Sequence, residues 1–274
     1  MITIYASELS ACVGMNKYRS VIDVARKVWC RSDPEGYRRA LVRNGTSDPE
    51  PVKDILDSLQ LTERFSEIVL EKTPENVQNR IENMSNEHKM ELDFKGVLLS
   101  DVTSFVHTER GKLHENISIE RIEKTLDVAI KDRNDKFYKR YIDITDNDGG
   151  KYVIGGKVDG ITENGYLVEV KNRQYRFFSY IPIYEKVQIH AYMFLTGIDK
   201  CKFVQSYNGE DKTEDISFDY KFWNNVKEEC SRFVKAIMVL MTDDEAQDDL
   251  FSTGKMPDIY NKESLMDDKE KRDI

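Results

Sequence analysis

The segment from Gly155 to Lys171 most narrows the folds open to this chain. It reads Gly-Gly-Lys-Val-Asp-Gly-Ile-Thr-Glu-Asn-Gly-Tyr-Leu-Val-Glu-Val-Lys, with two short runs rich in β-branched residues on either side of an Asn-Gly turn. That pattern is typical of a β-hairpin. Strand-like residues at 139–144, 202–207 and 214–218, with helical patterns between and around them, extend the sheet. The chain is therefore predicted to be an α/β protein with a central mixed β-sheet flanked by helices.

The length of the hairpin loop decides whether its polar side chains meet. Side chains on a strand point alternately to opposite faces. A two-residue turn at 164–165 would place Asp159 and Glu169 on opposite faces. A three-residue turn that includes Glu163, or a bulge at Gly160, would place them opposite each other on one face. We expect the odd-length loop or the bulge.

With that loop, Glu169 and Lys171, an acid and a lysine separated by one residue, lie beside Asp159. Two carboxylates on adjacent strands can hold a hard divalent cation such as Mg²⁺. Lys171 follows Glu169 by two residues and shares its face, where it can activate a metal-bound water or neutralise charge on a reacting phosphate. These groups suit phosphodiester hydrolysis. The register also places Lys157 opposite Lys171. Three residues are predicted to line the buried opposite face: Val158, Val168 and Val170.

The remaining sequence divides into a core, an insertion and a tail. Residues 1–242 are predicted to form one domain, interrupted at about 32–106 by a helical insertion. Before the hairpin, a helix is predicted from Thr108 to Lys131. Residues 243–274 hold eleven acidic and five basic residues and are predicted to be an acidic, flexible tail.

Charge distribution bears on the class of partner. The 274 residues include 41 basic and 50 acidic side chains, a formal charge of −9, which at first sight argues against a nucleic-acid partner. Residues 1–43, however, carry eight bases and four acids, and residues 171–202 carry six bases and two acids. Two segments of charge +4 are therefore available for contacts with a phosphate backbone.

Several protein classes are disfavoured by what the sequence lacks. The four cysteines and four histidines show no spacing typical of a zinc or iron–sulfur site. No apolar run approaches the length of a membrane span, and the first residues show no signal-peptide pattern. We therefore expect an intracellular protein, in the cytoplasm or nucleus, with reduced cysteines and no membrane contact.

Two further motifs bracket the hairpin. Arg110-Gly-Lys-Leu-His-Glu-Asn precedes it, and Gln188-x₃-Tyr192 follows it on a predicted helix. In this order, the motifs resemble the PD-(D/E)XK nuclease superfamily, and within it the lambda-exonuclease-like, YqaJ-type viral recombinase branch. The resemblance covers about residues 1–31 and 107–242. Valine at position 158 replaces the nominal proline of the motif.

The resemblance implies a restriction-endonuclease-like core that uses one or two Mg²⁺ or Mn²⁺ ions. It implies a catalytic set of Asp159, Glu169, Lys171 and Gln188. It implies a metal-binding set of Glu115, Asp159, Glu169 and the backbone carbonyl of Val170. The expected nucleic-acid-binding set is Ser7, Arg19, Lys157, Arg173 and Tyr192. His114 is the rival of Glu115 as a metal ligand, because RecB-type relatives use a histidine on this helix.

The resemblance also implies an activity and partners. The expected activity is a double-stranded DNA exonuclease of recombination or repair, of viral or phage origin, forming a ring-like homo-oligomer or acting with a recombination partner. The family arginine upstream of Ser7 has no counterpart, so an endonuclease acting on RNA or structured DNA is the alternative. A non-catalytic nucleic-acid-binding protein that retains the fold is the second alternative.

Overall fold

The computed structural model describes residues 1–48, 50–71, 73–144 and 150–260. Its strands are β1 (Thr3–Tyr5), β2 (Ile130–Lys131), β3 (Phe137–Asp143), β4 (Lys151–Lys157), β5 (Gly160–Thr162), β6 (Leu167–Asn172), β7 (Lys200–Tyr207) and β8 (Glu210–Ser217). Its helices are α1 (Ala6–Cys12), α2 (Val21–Ser32), α3 (Pro34–Arg43), α4 (Val52–Ser58), α5 (Thr62–Ile68), α6 (Pro74–Glu87), α7 (Lys89–Phe94), α8 (Leu99–Leu126), α9 (Ile183–Thr196), α10 (Tyr220–Leu240) and α11 (Asp244–Ser252). None of these helices is long and apolar enough to span a membrane.

The strands form two mixed sheets rather than the single sheet that was predicted. The first has the order β1-β4-β3, with β1 parallel to β4, and the second has the order β2-β5-β6-β7-β8, with β6 parallel to β7. The break falls between β4 and β5, at Val158 and Asp159. There the carbonyl of Val158 accepts a hydrogen bond from the backbone N–H of Asn134, at 2.9 Å, instead of continuing one ladder. The predicted α/β class with helices flanking mixed sheets is confirmed.

Each face of β6 packs against a different helix. Val168 and Val170 form a small core with Ile119 and Ile122 of α8. Leu167 faces the other way, into the main core, which includes buried residues of α1, α9 and α10. The prediction that Val158 shares a face with Val168 and Val170 is wrong, because Val158 also lies in the main core. The strand break separates their faces.

The helical insertion is shorter than predicted at its start. α3 packs on the main core through Tyr37 and Ala40, so the chain leaves the core only after it. A separate apolar cluster, from Ile55 to Val106, holds α4 to α7 against the first turns of α8. α8 then continues into the core as one helix of 28 residues, starting nine residues before the predicted Thr108. The insertion therefore contributes to positioning the helix that carries Glu115.

Part of the predicted flexible tail is folded. α11 buries Leu250 in the main core, and a 3₁₀ turn at Asp258–Tyr260 follows it. The hydroxyl of Tyr260 donates to the carbonyl of Cys12 at 2.8 Å. The prediction of a domain end at 242 is corrected to at least 260, because apolar residues sparsely spaced among acids still anchor the segment. Residues 261–274 of the predicted tail lie outside the described residues.

Candidate active site

The hairpin has the odd-length loop that the sequence predicted. Gly160 pairs with Val168 and Ile161 with Leu167, and the Thr162 N–H bonds the Tyr166 carbonyl at 2.8 Å. Residues 163–165 form the loop, and Gly165 adopts a φ of +84°, in the left-handed region that favours glycine. This register brings Asp159, directly before β5, level with Glu169.

Asp159 is fixed by a hydrogen bond that takes the place of a strand partner. β5 pairs with β6 only as far as Val168, so the N–H of Val170 has no ladder acceptor on that side. The Asp159 Oδ2 atom accepts it at 2.8 Å. The first acid of the motif is thereby attached to the strand that carries the second acid.

Glu169 and Lys171 lie side by side on the face of β6 opposite Val168 and Val170. The Glu169 side chain is 1% exposed, and its Oε1 atom lies 2.6 Å from the Lys171 ammonium. Its second oxygen, Oε2, is buried and has no hydrogen-bond partner among the described residues. Because buried polar atoms are nearly always partnered, this oxygen lacks a partner that a ligand or ion would supply.

α9 extends the polar network across the sheet. Lys171 also donates to Gln188 Oε1 at 3.2 Å, and the Gln188 amide donates to the Tyr192 hydroxyl at 3.1 Å. α9 can approach this closely because position 156 is glycine: a Cβ there would lie 2.9 Å from the Tyr192 ring. The spacing of four residues places Gln188 and Tyr192 on one face of the helix, as the sequence predicted.

Asn134 is a residue of this site that the sequence motifs did not reveal. Its side-chain amide donates to Glu115 Oε1, and its backbone N–H donates to the Val158 carbonyl. Its φ of +52° places it in the left-handed region, which asparagine tolerates better than most residues. Asn134 thus joins the helix that carries Glu115 to the strand end that precedes Asp159. Only the polar run Asp132-Arg133-Asn134-Asp135 marked a turn there.

The three acids raise one another's pKa. Burial, and then the charge of Glu115, raises the pKa of Asp159 to about 7. Burial, and then Asp159, raises the pKa of Glu169 to about 8. Burial and Glu169 also raise the pKa of Glu115. Burial alone would lower the pKa of Lys171, but Glu169 and Asp159 outweigh it and raise the pKa further above neutral.

This charge balance suits an added cation. Three carboxylates lie near the ammonium of Lys171, and burial, followed by their mutual repulsion, raises the pKa of each. Their donor atoms are oxygens, the ligands that Mg²⁺ and Mn²⁺ prefer. Residue types and electrostatics thus fit the ion. The side-chain positions do not yet form a ligand set, because no group of three acid, histidine or cysteine side chains in the described part of the chain is arranged so that it could hold a metal.

His114 lies in a different environment from the acids. Burial, and then the positive charges of Arg110 and Arg121, lowers its pKa. It lines a cavity with these two arginines, whereas the next residue, Glu115, interacts with Glu169 and Lys171. The structure thus brings Glu115, and not its rival His114, to the acidic cluster.

Three of the residues expected to bind nucleic acid differ in how exposed they are and in which residues they contact. Arg173 is 8% exposed and pairs with Glu185 at 2.7 Å, so its guanidinium is already committed. Tyr192 is buried and supports Gln188 rather than facing solvent. Lys157 is exposed at the end of β4, but it pairs with Phe137 in the first sheet and not opposite Lys171 as predicted. The strand break at Val158 explains that correction.

Ser7 and Arg19 come together at the N-terminal region. Ser7 is exposed in the first turn of α1, and Arg19 donates to its backbone carbonyl at 3.2 Å. Arg19 also lies 3.8 Å from Glu8, which is held more closely by Arg31 at 2.9 Å. α1 packs against α9, the helix that carries Gln188. A cation therefore lies beside Ser7 although the sequence has no arginine upstream of it.

No protein-family model matches the chain, and no curated protein is significantly similar to it in sequence. Among solved structures, an alkaline exonuclease from Laribacter hongkongensis is similar over 87% of this chain and 89% of its own, with 13% identity and a TM-score of 0.46. The same protein solved in complex with dAMP gives the same values. A phage-related exonuclease from Haemophilus somnus 129PT is similar over 93% of this chain and 97% of its own, with 12% identity and a TM-score of 0.39.

Proposed function

We propose that the chain is a metal-dependent nuclease that hydrolyses phosphodiester bonds at the cluster of Glu115, Asp159, Glu169 and Lys171. The observation that carries the proposal is the unpartnered, buried Oε2 atom of Glu169, in a group of three acids with raised pKa values beside an ammonium. A purely structural ion pair would leave neither an unpartnered oxygen nor surplus negative charge. Such an arrangement is costly to stability and is typical of functional sites.

The acids are the proposed ligands of one or two Mg²⁺ or Mn²⁺ ions. Glu115, Asp159 and Glu169 supply carboxylate oxygens, and the carbonyl of Val170 is the proposed backbone ligand. When bound, the metal provides Lewis-acid stabilisation of the phosphate and a more acidic water. Asn134 donates to Glu115, and the Val170 N–H donates to Asp159, so neighbouring residues restrict the position of both acids.

Lys171 and Gln188 act on the phosphate and the attacking water. With its raised pKa, Lys171 is protonated near neutral pH, so in the metal-free protein it is a cation and a hydrogen-bond donor rather than a base. Its ammonium can stabilise negative charge that develops on the phosphate. Gln188 fixes that ammonium through Oε1, and Tyr192 fixes the Gln188 amide. The pair can thereby position the water or a phosphate oxygen.

The proposed substrate is double-stranded DNA, processed from an end during recombination or repair. Ser7 and Arg19 are the proposed contact for a terminal phosphate, since the arginine supplies the charge that the sequence pattern lacked next to the serine. This placement favours an exonuclease over an endonuclease.

A cleavage assay tests the proposal. Labelled linear duplex DNA, closed circular DNA and RNA are incubated with the protein in Mg²⁺, Mn²⁺ or EDTA. Cleavage of linear duplex from its ends, absent in EDTA, is the expected result. Cutting of the closed circle or of RNA would instead support the endonuclease alternative. No cleavage of any substrate with either ion would contradict the proposed function.

A further inference from the structure

A cavity of about 500 Å³ lies beyond the C-terminal end of β6. α8 forms one wall, the β7–β8 turn forms another, and the start of α6 in the helical insertion forms a third. We call it the basic cavity. It is separate in character from the acidic cluster, and none of the roles proposed above uses it.

The wall on α8 is a single face of that helix. His107, Arg110, His114, Ser118 and Arg121 recur at intervals of three or four residues, which aligns them along the helix. None of the described residues that line the cavity is an aspartate or a glutamate. Of the three lining arginines, Arg121 pairs with Asp211 and Arg173 with Glu185, so Arg110 and the two histidines are the groups left for an anion.

Two buried nitrogens in this wall lack partners. His107 Nδ1 and His114 Nε2 have no hydrogen-bond partner, and each is shielded from solvent. Buried ring nitrogens are normally satisfied, so a ligand with oxygen atoms would complete both imidazoles. Unlike Arg121, which pairs with Asp211 at 2.6 Å, Arg110 donates to the backbone carbonyls of Val69 and Glu71. Among the described residues Arg110 has no ion pair, although the nearby carboxylate of Glu71 acts on its charge.

The basic cavity shares α8 and the end of β6 with the acidic cluster, and it shares residues with a second cleft, which we call the aromatic cleft. His114 directly precedes Glu115 on α8, whereas Asn172, which follows Lys171, accepts a hydrogen bond from Ser118 of α8 on the opposite face of β6. The aromatic cleft has a volume of about 460 Å³, shares Thr73, Gln174 and Tyr207 with the cavity, and adds Glu75 and Tyr175, of which Tyr175 is 67% exposed. Tyrosine rings beside a basic groove suit the stacked bases of a single strand.

We propose that the basic cavity binds a backbone phosphate of a single nucleic-acid strand that also reaches the acidic cluster, with a base stacked on Tyr175. This assignment rests on the proposed nuclease function and adds a second contact along the strand. Arg110 supplies the charge, and the two unpartnered imidazoles supply hydrogen bonds. The aromatic cleft favours a nucleic-acid strand over a free inorganic phosphate.

Asn208→Asp is the test variant, because it adds one negative charge to the cavity wall with almost no change in shape. Asn208 has a φ of +51° in the β7–β8 turn, a conformation that aspartate also tolerates. Asn164→Asp is the matched control: it also precedes a glycine, is exposed, and lies in the β5–β6 loop at the other end of β6. Both variants change the net charge by the same amount.

Binding of a fluorescein-labelled single-stranded oligonucleotide is measured by anisotropy in EDTA, where cleavage does not interfere. We expect Asn208→Asp to weaken binding about fivefold or more, and Asn164→Asp to leave it unchanged. Tyr175→Ala is expected to weaken binding by a similar factor. Equal affinity of Asn208→Asp and the unmodified protein would overturn the proposal.

A competition experiment distinguishes the source of the phosphate. Inorganic phosphate is expected to displace the oligonucleotide only at millimolar concentration. Tight binding of inorganic phosphate, with no loss of oligonucleotide affinity in Tyr175→Ala, would assign the cavity to the free ion and overturn the strand assignment. If the unmodified protein does not cleave nucleic acid but binds the strand, and Asn208→Asp weakens that binding, only the proposed nuclease function is contradicted. If the unmodified protein cleaves but Asn208→Asp does not weaken strand binding, only this inference is contradicted.

Discussion

Consecutive residues of α8, His114 and Glu115, lie in opposite electrostatic environments. Glu115 joins two further acids and one lysine, and burial with like charge raises its pKa. His114 joins two arginines, and burial with like charge lowers its pKa. A single step along the helix thus separates a cluster of acids from a pair of arginines. The comparison teaches that the overall charge of −9 describes neither surface.

The two environments suit different parts of the same ligand. A surplus of carboxylates attracts a divalent cation, whereas a surplus of arginine and histidine attracts phosphate directly. Carboxylates and phosphate repel each other, so a bound cation is needed before the acidic cluster can accept a phosphate. Removing the cation should therefore affect the acidic cluster alone, and the predictions below use that difference.

Lys171→Ala is expected to cause a large loss of cleavage at the acidic cluster. It removes the only described ammonium that pairs with Glu169, and with it the positive charge next to the reacting phosphate. Cleavage is expected to fall ~100-fold or more, while strand binding at the basic cavity in EDTA stays unchanged. Single-turnover cleavage and anisotropy measure the two effects. Lys124→Ala, on an exposed position of α8, is the control, and a Lys171→Ala protein that cleaves as fast as that control would refute the role of Lys171.

The metal-free protein is expected to lose stability as pH rises. The pKa values of Asp159 and Glu169 are raised to about 7 and about 8 in the folded state, so folding favours their protonated forms. That contribution is fully present below the unfolded pKa values near 4 and is lost as pH rises through 7 to 8. The raised pKa of Lys171 adds no slope in this window, because lysine is protonated in both states there.

The expected loss between pH 5 and 9 is on the order of 2–4 kcal/mol of unfolding free energy, measured by urea denaturation in EDTA. Glu169→Gln, which cannot ionise, should flatten the curve. At pH 8, Mn²⁺ should increase the unfolding free energy of the unmodified protein, and it should increase that of Glu169→Gln by a smaller amount. A curve that rises between pH 5 and 8 would contradict the raised pKa values.

Asn134→Gly is expected to weaken the apparent affinity for the metal ion about tenfold. Glycine retains the left-handed backbone but removes the amide that holds Glu115. The concentration of Mn²⁺ that gives half-maximal cleavage should rise, with a smaller change in the maximal rate. Gln60→Gly, at an exposed residue with a φ of +59°, is the control for backbone flexibility. An unchanged Mn²⁺ requirement would show that Asn134 does not position Glu115.

Tyr260→Phe is expected to have the smallest effect, and on stability alone. It removes the hydrogen bond from the hydroxyl to the Cys12 carbonyl, which contributes about 1 kcal/mol. Thermal unfolding measures the loss, with Tyr18→Phe, at a position that is 73% exposed, as the control. Cleavage should stay unchanged. An equal Tm for the two variants would argue that the segment after α11 adds nothing to the core.

The sequence predicted those helices and loops whose ends are set by neighbouring residues, such as a proline or a glycine. Pro182 and Gly197 bound α9, and Gly197 adopts the left-handed φ of +77° that ends a helix. Strand alternation left two arrangements that place Asp159 beside Glu169, a three-residue loop or a bulge at Gly160, and the observed register has the loop at 163–165. These features depend on a few neighbouring residues.

Features set by distant contacts could not be predicted in this way. The strand break at Val158 depends on a hydrogen bond from Asn134, 24 positions earlier in the chain. The choice between His114 and Glu115 depends on the rotation of α8, which is fixed by packing of Ile119 and Ile122 on β6. The commitment of Arg173 to Glu185 depends on the approach of α9 to the sheet.

Asp159→Asn tests the central claim most directly. Asparagine can still accept the hydrogen bond from the Val170 N–H, so the variant removes charge with little change in shape. The measurement is the single-turnover cleavage rate of linear duplex DNA against Mn²⁺ concentration, beside strand binding in EDTA. We predict metal-dependent cleavage by the unmodified protein, no detectable cleavage by Asp159→Asn, and equal strand binding by both. Cleavage by Asp159→Asn at the unmodified rate, or full cleavage by the unmodified protein in EDTA, would contradict the claim.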